Sequence, residues 1–254
     1  MPKCVRVLPP IFVATLVILA CGCGKSPSDK LAQVSHDFVY GVLAASPSSA
    51  TAAGLHLYEG VRLDELLDDV SASAVEKQRK FYEKMRDKLA DIKVDQLTPE
   101  EKADYSIIQN QIGLALIDLT ELHTESHAPQ MYVELLGNAL FSPFVLDYAP
   151  RPERLKQIIS RLQKVPLFLD TATTSLSSAP KEWTQVAIQE NQGNINLVDK
   201  EIRAQVTTDL SETYARAARP ALDAMNRFGR FLRNSLSQRT TGVNWRLGNL
   251  YARK

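Results

Sequence analysis

From Leu31 onward the apolar residues of this chain recur every three or four positions, a spacing that admits amphipathic helices and little else. The cleanest stretch is Ser211 to Gln238. There Tyr214, Ala218, Ala221, Met225, Phe228, Leu232 and Ser235 share one face, and Pro220 inside the stripe is expected to bend it. Leu31, Val34, Phe38, Val39, Val42 and Leu43 mark an earlier stripe, closed by Ser46-Pro47-Ser48-Ser49. A second segment is expected near Ala50, loosened by Gly54 and Gly60, and Val75, Tyr82, Met85, Leu89 and Ile92 mark the next helix. Thr98-Pro99-Glu100-Glu101 is a helix start: Thr98 can cap, Pro99 suits the first helical position, and Glu101 completes a capping box. That helix should run to about Leu122, with Ile108, Ile112, Ala115 and Leu119 on one face.

Met131 to Phe141 reads as a short apolar segment. Arg151-Pro152-Glu153 opens a helix carrying Leu155, Ile158, Ile159, Leu162 and Val165, kinked at Pro166 and continuing to Leu176. After Ser177-Ser178-Ala179-Pro180, one more helix is expected from Lys181 to about Arg203. No stretch of strict alternation is long enough for a strand, and no internal repeat is present. The expectation is an all-α, multi-helix bundle of about eight amphipathic helices.

The first 23 residues speak of address. Lys3 and Arg6 make a basic start. Leu8 to Ala20 is an apolar stretch broken only by Pro9-Pro10 and Thr15, and Ala20 precedes Cys21. That order is a secretory signal peptide, too short to span a hydrocarbon core of about 30 Å. Cys21 after a small residue resembles a bacterial lipobox, with Cys23 the alternative lipidation site; the competing reading is an ordinary signal peptide with two incidental cysteines. The predicted organisation is a signal peptide and lipobox at 1–23, a polar tether at 24–30 and a helical body at 31–254. The protein is expected to be exported and lipid-anchored in the bacterial envelope, at the outer membrane facing the periplasm.

All three cysteines, Cys4, Cys21 and Cys23, lie in the signal region. The body therefore has no thiol for a disulfide, a Cys-rich zinc site or a Cys nucleophile. A formal charge of +1 without a Lys/Arg block argues against nucleic acid as a partner.

Two constellations could carry chemistry. His123 and His127 stand four positions apart, the spacing of zinc-peptidase imidazoles, but the acid between them is Glu125, two places after the first histidine. Pro129 follows closely, which favours two solvated histidines at a helix end over a metal site. In the segment from Trp183 to Arg203, if Val186 and Leu197 face the core, then Glu190 and Gly193 share that face with Asn194 beside them. Polar groups on an apolar face need partners, so Glu190 and Asn194 are candidate cleft residues or, alternatively, members of a structural network. Leu122, Tyr132, Tyr148 and Trp183 could line an aromatic pocket, though plain core is the commoner fate of such residues.

Several local stretches carry a resemblance. Asp37-Phe38-Val39-Tyr40 with Pro47, and Ala50-Thr51-Ala52-Ala53-Gly54-Leu55-His56, are two of them. Tyr132 to Asn138, Arg154-Leu155 with Arg161-Leu162 and Pro166, and Ala179 to Thr184 are the others. In order and spacing they resemble a bacterial helical family known as domain of unknown function 885, over roughly residues 31–254. The resemblance implies an exported or lipid-anchored protein about twice this length. It also implies a C-terminal half with a His-Glu helix ending in Pro-Gly-His, as in zinc metallopeptidases. No His-Glu pair occurs here, so no catalytic residue of the family carries over.

The resemblance therefore implies the N-terminal, substrate-cleft half of a metallopeptidase-like protein, inactive alone and without a cofactor of its own. Zinc would belong to the full-length relative, and the partners would be the membrane, a peptide substrate and the missing half. The alternative is a stand-alone periplasmic binding or scaffold lipoprotein. Trp245, Leu247, Leu250 and Tyr251 begin an apolar spacing that stops at Lys254, which predicts an incomplete body. It also predicts uncovered apolar stripes at Met225, Phe228 and Leu232 and at Trp245, Leu247 and Leu250.

Overall fold

The computed structural model of the protein describes residues 25–239. Ten α-helices among them carry the fold, which is all-α as the periodicity predicts. They are α1 (Pro27–Ala45), α2 (Pro47–Ala52), α3 (Ala72–Ala90), α4 (Pro99–Ile117), α5 (Thr124–His127), α6 (Pro129–Val145), α7 (Arg151–Leu162), α8 (Val165–Ser175), α9 (Lys181–Asn196) and α10 (Ser211–Asn234).

Prolines account for most differences from the expected segments. Pro47, Pro129 and Pro166 each sit in a first turn, where the missing N–H has no partner to lose. Thus α2 starts at Pro47 and α6 is 17 residues long. Pro166 begins a new helix instead of kinking one long one. Pro27 likewise opens α1, where Ser26 and Asp29 form a capping box. Residues 27–30, expected in the tether, are therefore helical. At α4 the anticipated box is present, with Thr98 Oγ1 accepting the Glu101 N–H at 3.2 Å.

A two-residue antiparallel pair, β1 (Leu57–Tyr58) and β2 (Val61–Arg62), interrupts the helices. Glu59 and Gly60, with φ of 48° and 81°, make the turn between them. Positive φ at both central residues matches the twist of a tight hairpin.

The helices gather around two cores. Leu31 and Val34 of α1, Met85 and Leu89 of α3, and Ile108 and Ile112 of α4 form the smaller one. The larger is built by α6 to α10, with Tyr132, Leu136, Leu155, Leu162, Phe168 and Phe228 among its members. Within it α10 presents Tyr214, Ala217, Ala218, Ala221, Met225, Phe228 and Leu232 inward, while Pro220 lies on its exposed face. The expectation that Met225, Phe228 and Leu232 lie uncovered is wrong: they are 0%, 1% and 0% exposed. Helices α7, α8 and α9 of the same chain close over them. Trp245, Leu247 and Leu250, like Cys21 and Cys23, fall outside the described residues.

Two helices end in wide π-helical turns, Asp118–Leu122 after α4 and Leu197–Ile202 after α9. The first runs into His123, whose left-handed φ of 50° turns the chain away from the axis of α4.

Candidate substrate cleft

The segment between α2 and α3 crosses the crevice that separates the two cores, and buried polar groups hold it there. Arg161 of α7 is fully buried. Its guanidinium donates to Thr51 Oγ1 at 2.6 Å, to the carbonyls of Pro47 at 3.2 Å and Leu63 at 3.3 Å, and to that of Ala139. The Thr51 hydroxyl in turn donates to Asp64 at 2.7 Å. Asp64 also receives His56 Nδ1, at 3.1 and 3.0 Å from its two oxygens, and Gln157 Nε2 at 3.4 Å. The Tyr148 hydroxyl donates to Gln157 at 2.6 Å, and its ring stacks on the His56 imidazole with centroids 4.2 Å apart.

Burial lowers the Arg161 pKa from its ordinary value and is opposed by nearby charges that include Asp64 and Asp68. Burial likewise raises the Tyr148 phenol. These groups tie α2, the hairpin and α7 together.

A second anchor lies at Asp68, which accepts Ser46 Oγ at 2.7 Å and the Ser48 N–H at 3.1 Å. Leu67 beside it enters the larger core. Residues 66–71 are thus a strap fastened across the crevice, and cavities open on its sides. One of about 430 Å³ lies against α1 and α3, walled by Val42, Pro47, Leu67, Phe81 and Tyr82. A second, of about 220 Å³, meets the wide turn after α4 and carries Asp68, Asp69, Asp118 and Glu125. A third, of about 500 Å³, faces Leu167, Phe168 and Thr171 of α8. Lys164 at its edge donates to the Glu65 carbonyl at 2.9 Å and to Ser160, and burial lowers its pKa.

The residues singled out in the sequence fall elsewhere. His123 and His127 do not share a helix face, because the left-handed His123 breaks the helix between them. His123 Nδ1 points to Glu125 at 3.5 Å, while His127 Nδ1 meets Ser178 Oγ at 3.3 Å. The pair does not fit zinc, and no group of three or more His, Cys, Asp or Glu side chains among the described residues is placed to hold a metal.

On α9 the buried face is Thr184, Ala187, Asn191 and Asn194, whereas Val186 is 42% exposed and Gly193 is exposed. The face assumed in the sequence is therefore rotated. Asn194 is a bolt between helices: its amide donates to the Val133 carbonyl at 2.8 Å, and its Oδ1 rests over Gly137, where a Cβ would come within 2.8 Å. Asn191 does the same for α10, donating to the Met225 carbonyl at 3.0 Å. Both belong to the structural network, not to the cleft.

Glu190 is half-buried, and one of its carboxylate oxygens is buried without a partner. Burial, with the Glu134 charge second, raises its pKa. A carboxyl raised in the folded state holds its proton more tightly there than in the unfolded chain, so stability falls as pH rises above the ordinary glutamate range. Glu190→Gln should remove that decline, seen as urea midpoints that no longer fall as pH rises past the ordinary glutamate range.

Leu122, Tyr132, Tyr148 and Trp183 do not make one pocket. Tyr132 is core, with its hydroxyl on the Glu125 carbonyl at 2.6 Å and its pKa raised by burial to about 12, whereas Tyr148 belongs to the His56 stack.

Comparison with known proteins agrees with the helical fold. No curated relative matches this sequence. A solved structure from Shewanella oneidensis, described as a candidate lipoprotein of unknown function, superposes with a TM-score of 0.73 at 22% identity. The match covers 84% of this chain and 39% of that one, so the chain spans about two-fifths of the length of its solved relative. No helix among the described residues is long and apolar enough to cross a membrane. The profile of a family described as "Bacterial protein of unknown function (DUF885)" matches residues 47–254, and the chain belongs to that family.

Proposed function

We propose that this chain is the substrate-cleft portion of an exported, lipid-anchored, metallopeptidase-like protein, and that it binds a peptide without cleaving it. The observation that carries the reading is the strap at 66–71, fastened by Asp64 and Asp68, with open cavities along a crevice between two packed cores. A cleft of this size is the usual form of a ligand site. The chain's 39% coverage of a longer solved relative supports assigning the chemistry to residues outside it. Zinc enters only as the metal of the longer protein, since His123 and His127 supply no site.

Incubating the purified chain with a defined peptide mixture tests the reading. Peptides should be retained and recovered intact. Hydrolysis by the chain alone would overturn the claim that it is inactive, and failure to retain any peptide would leave the scaffold alternative. The anchor is tested separately: mass spectrometry of the mature N-terminus should find acylated Cys21, or Cys23 in its place. Three acyl chains on one cysteine hold a membrane firmly where one chain of about 0.8 kcal/mol per methylene does not. An unmodified N-terminus would contradict the anchored location at the outer membrane facing the periplasm.

A further inference from the structure

We infer that the cleft selects a peptide in which a bulky apolar side chain adjoins a basic one; the inference rests on the substrate-cleft reading. The cavity between α1 and α3 is the apolar half. Phe81 closes one wall by lying against bare backbone at Gly41, where a Cβ would stand 2.5 Å from the ring. Phe81 and Tyr82 meet edge to face with centroids 5.4 Å apart, and with Val42, Pro47 and Leu67 they leave about 430 Å³. That is ample for a large aliphatic or aromatic side chain, which its mostly apolar walls suit.

Ala45, Ser46, Asp69 and Gln78 line both this cavity and the next, so the two adjoin. The second contains Asp68, Asp69, Asp118 and Glu125, and among the described residues no lysine or arginine lines it. Asp68 is bound by a serine hydroxyl and a backbone N–H, and Asp118 by the Thr124 hydroxyl. These are neutral donors, and the ionisable partner in reach among the described residues is His123, whose Nδ1 lies 3.5 Å from Glu125, so four carboxylates face one imidazole. Lys77 lines the adjoining apolar cavity, outside this one, and Lys164 is occupied by the Glu65 carbonyl and Ser160. A ligand that seats an apolar group in the first cavity therefore meets a net negative field in the second. Side chains one or two positions apart on an extended peptide have the reach to fill both.

Short peptides carrying p-benzoylphenylalanine beside Lys, Glu or Ala, in an otherwise polar neutral sequence, test this on the purified chain. The Lys peptide should bind roughly tenfold tighter than its Glu twin at low salt, and the gap should narrow as salt screens it. Photo-crosslinks should map to Val42–Ser46 or Phe81–Tyr82. Asp69→Asn combined with Glu125→Gln should erase the Lys preference, bringing the Lys and Glu peptides to equal affinity. Ala45→Trp should weaken all three, with helical circular dichroism unchanged in both variants. Equal binding of the Lys and Glu peptides, or crosslinks away from α1 and α3, would overturn the inference and leave the cleft reading standing. Binding by none of the peptides would overturn the reading itself and the inference with it.

Discussion

Replacing Arg161 by methionine is expected to lower the unfolding free energy by about 3–5 kcal/mol, the scale of breaking a buried charged network. The methionine keeps much of the side chain's bulk but donates nothing. The carbonyls of Pro47, Leu63 and Ala139 would lose a shared donor, and Asp64 would lose the positive charge that reaches it through Thr51. Arg161→Lys should recover only part of the loss, because a point charge cannot reproduce a planar fork of donors. Urea denaturation of the three proteins measures the effect through the midpoint at constant m. A loss below about 1 kcal/mol for the methionine variant would mean that the Asp68 anchor and the apolar contacts hold this segment without the Arg161 network.

The second large effect is expected at Phe228→Ala, about 3–5 kcal/mol, because the ring is 1% exposed in the larger core and its deletion leaves a cavity. Its neighbours Met225 and Leu232 are equally enclosed. A uniformly small response along this face of α10 would mean that it is open in solution, as an unpartnered stripe would be. Leu167→Ala supplies the control: that residue is 74% exposed, and its replacement should stay within about 0.5 kcal/mol.

Periodicity made the helices legible. The stripe on α10 was readable residue by residue, because a helix packed on one side records its burial in every third or fourth position. The capping box at Thr98 was readable for a similar reason, since its partners are three residues apart. Prolines at 47, 129 and 166 were ambiguous, because one residue type can start a helix or bend it.

The rotated face of α9 shows another limit. Thr184, Asn191 and Asn194 are polar, so hydrophobicity pointed to Val186, while the buried face belongs to the amides that bond α6 and α10. The cleft itself was hidden. Arg161 and Asp64 are far apart in sequence, meet through Thr51, and gave no local pattern beyond an arginine set in an apolar stripe. That oddity, repeated at Arg154, was the available signal. Arg154 lies buried too, bonded to the carbonyls of Pro143, Phe144 and Ala149.

Hydrogen exchange of the purified chain, with and without a bound peptide, reads the occupancy of the cleft. Peptide should slow exchange across the strap at 66–71 and in the facing turns of α1 and α3, and leave exchange in α10 unchanged. Protection confined to other elements, or no change at all with peptide present at saturation, would contradict a cleft between the two cores.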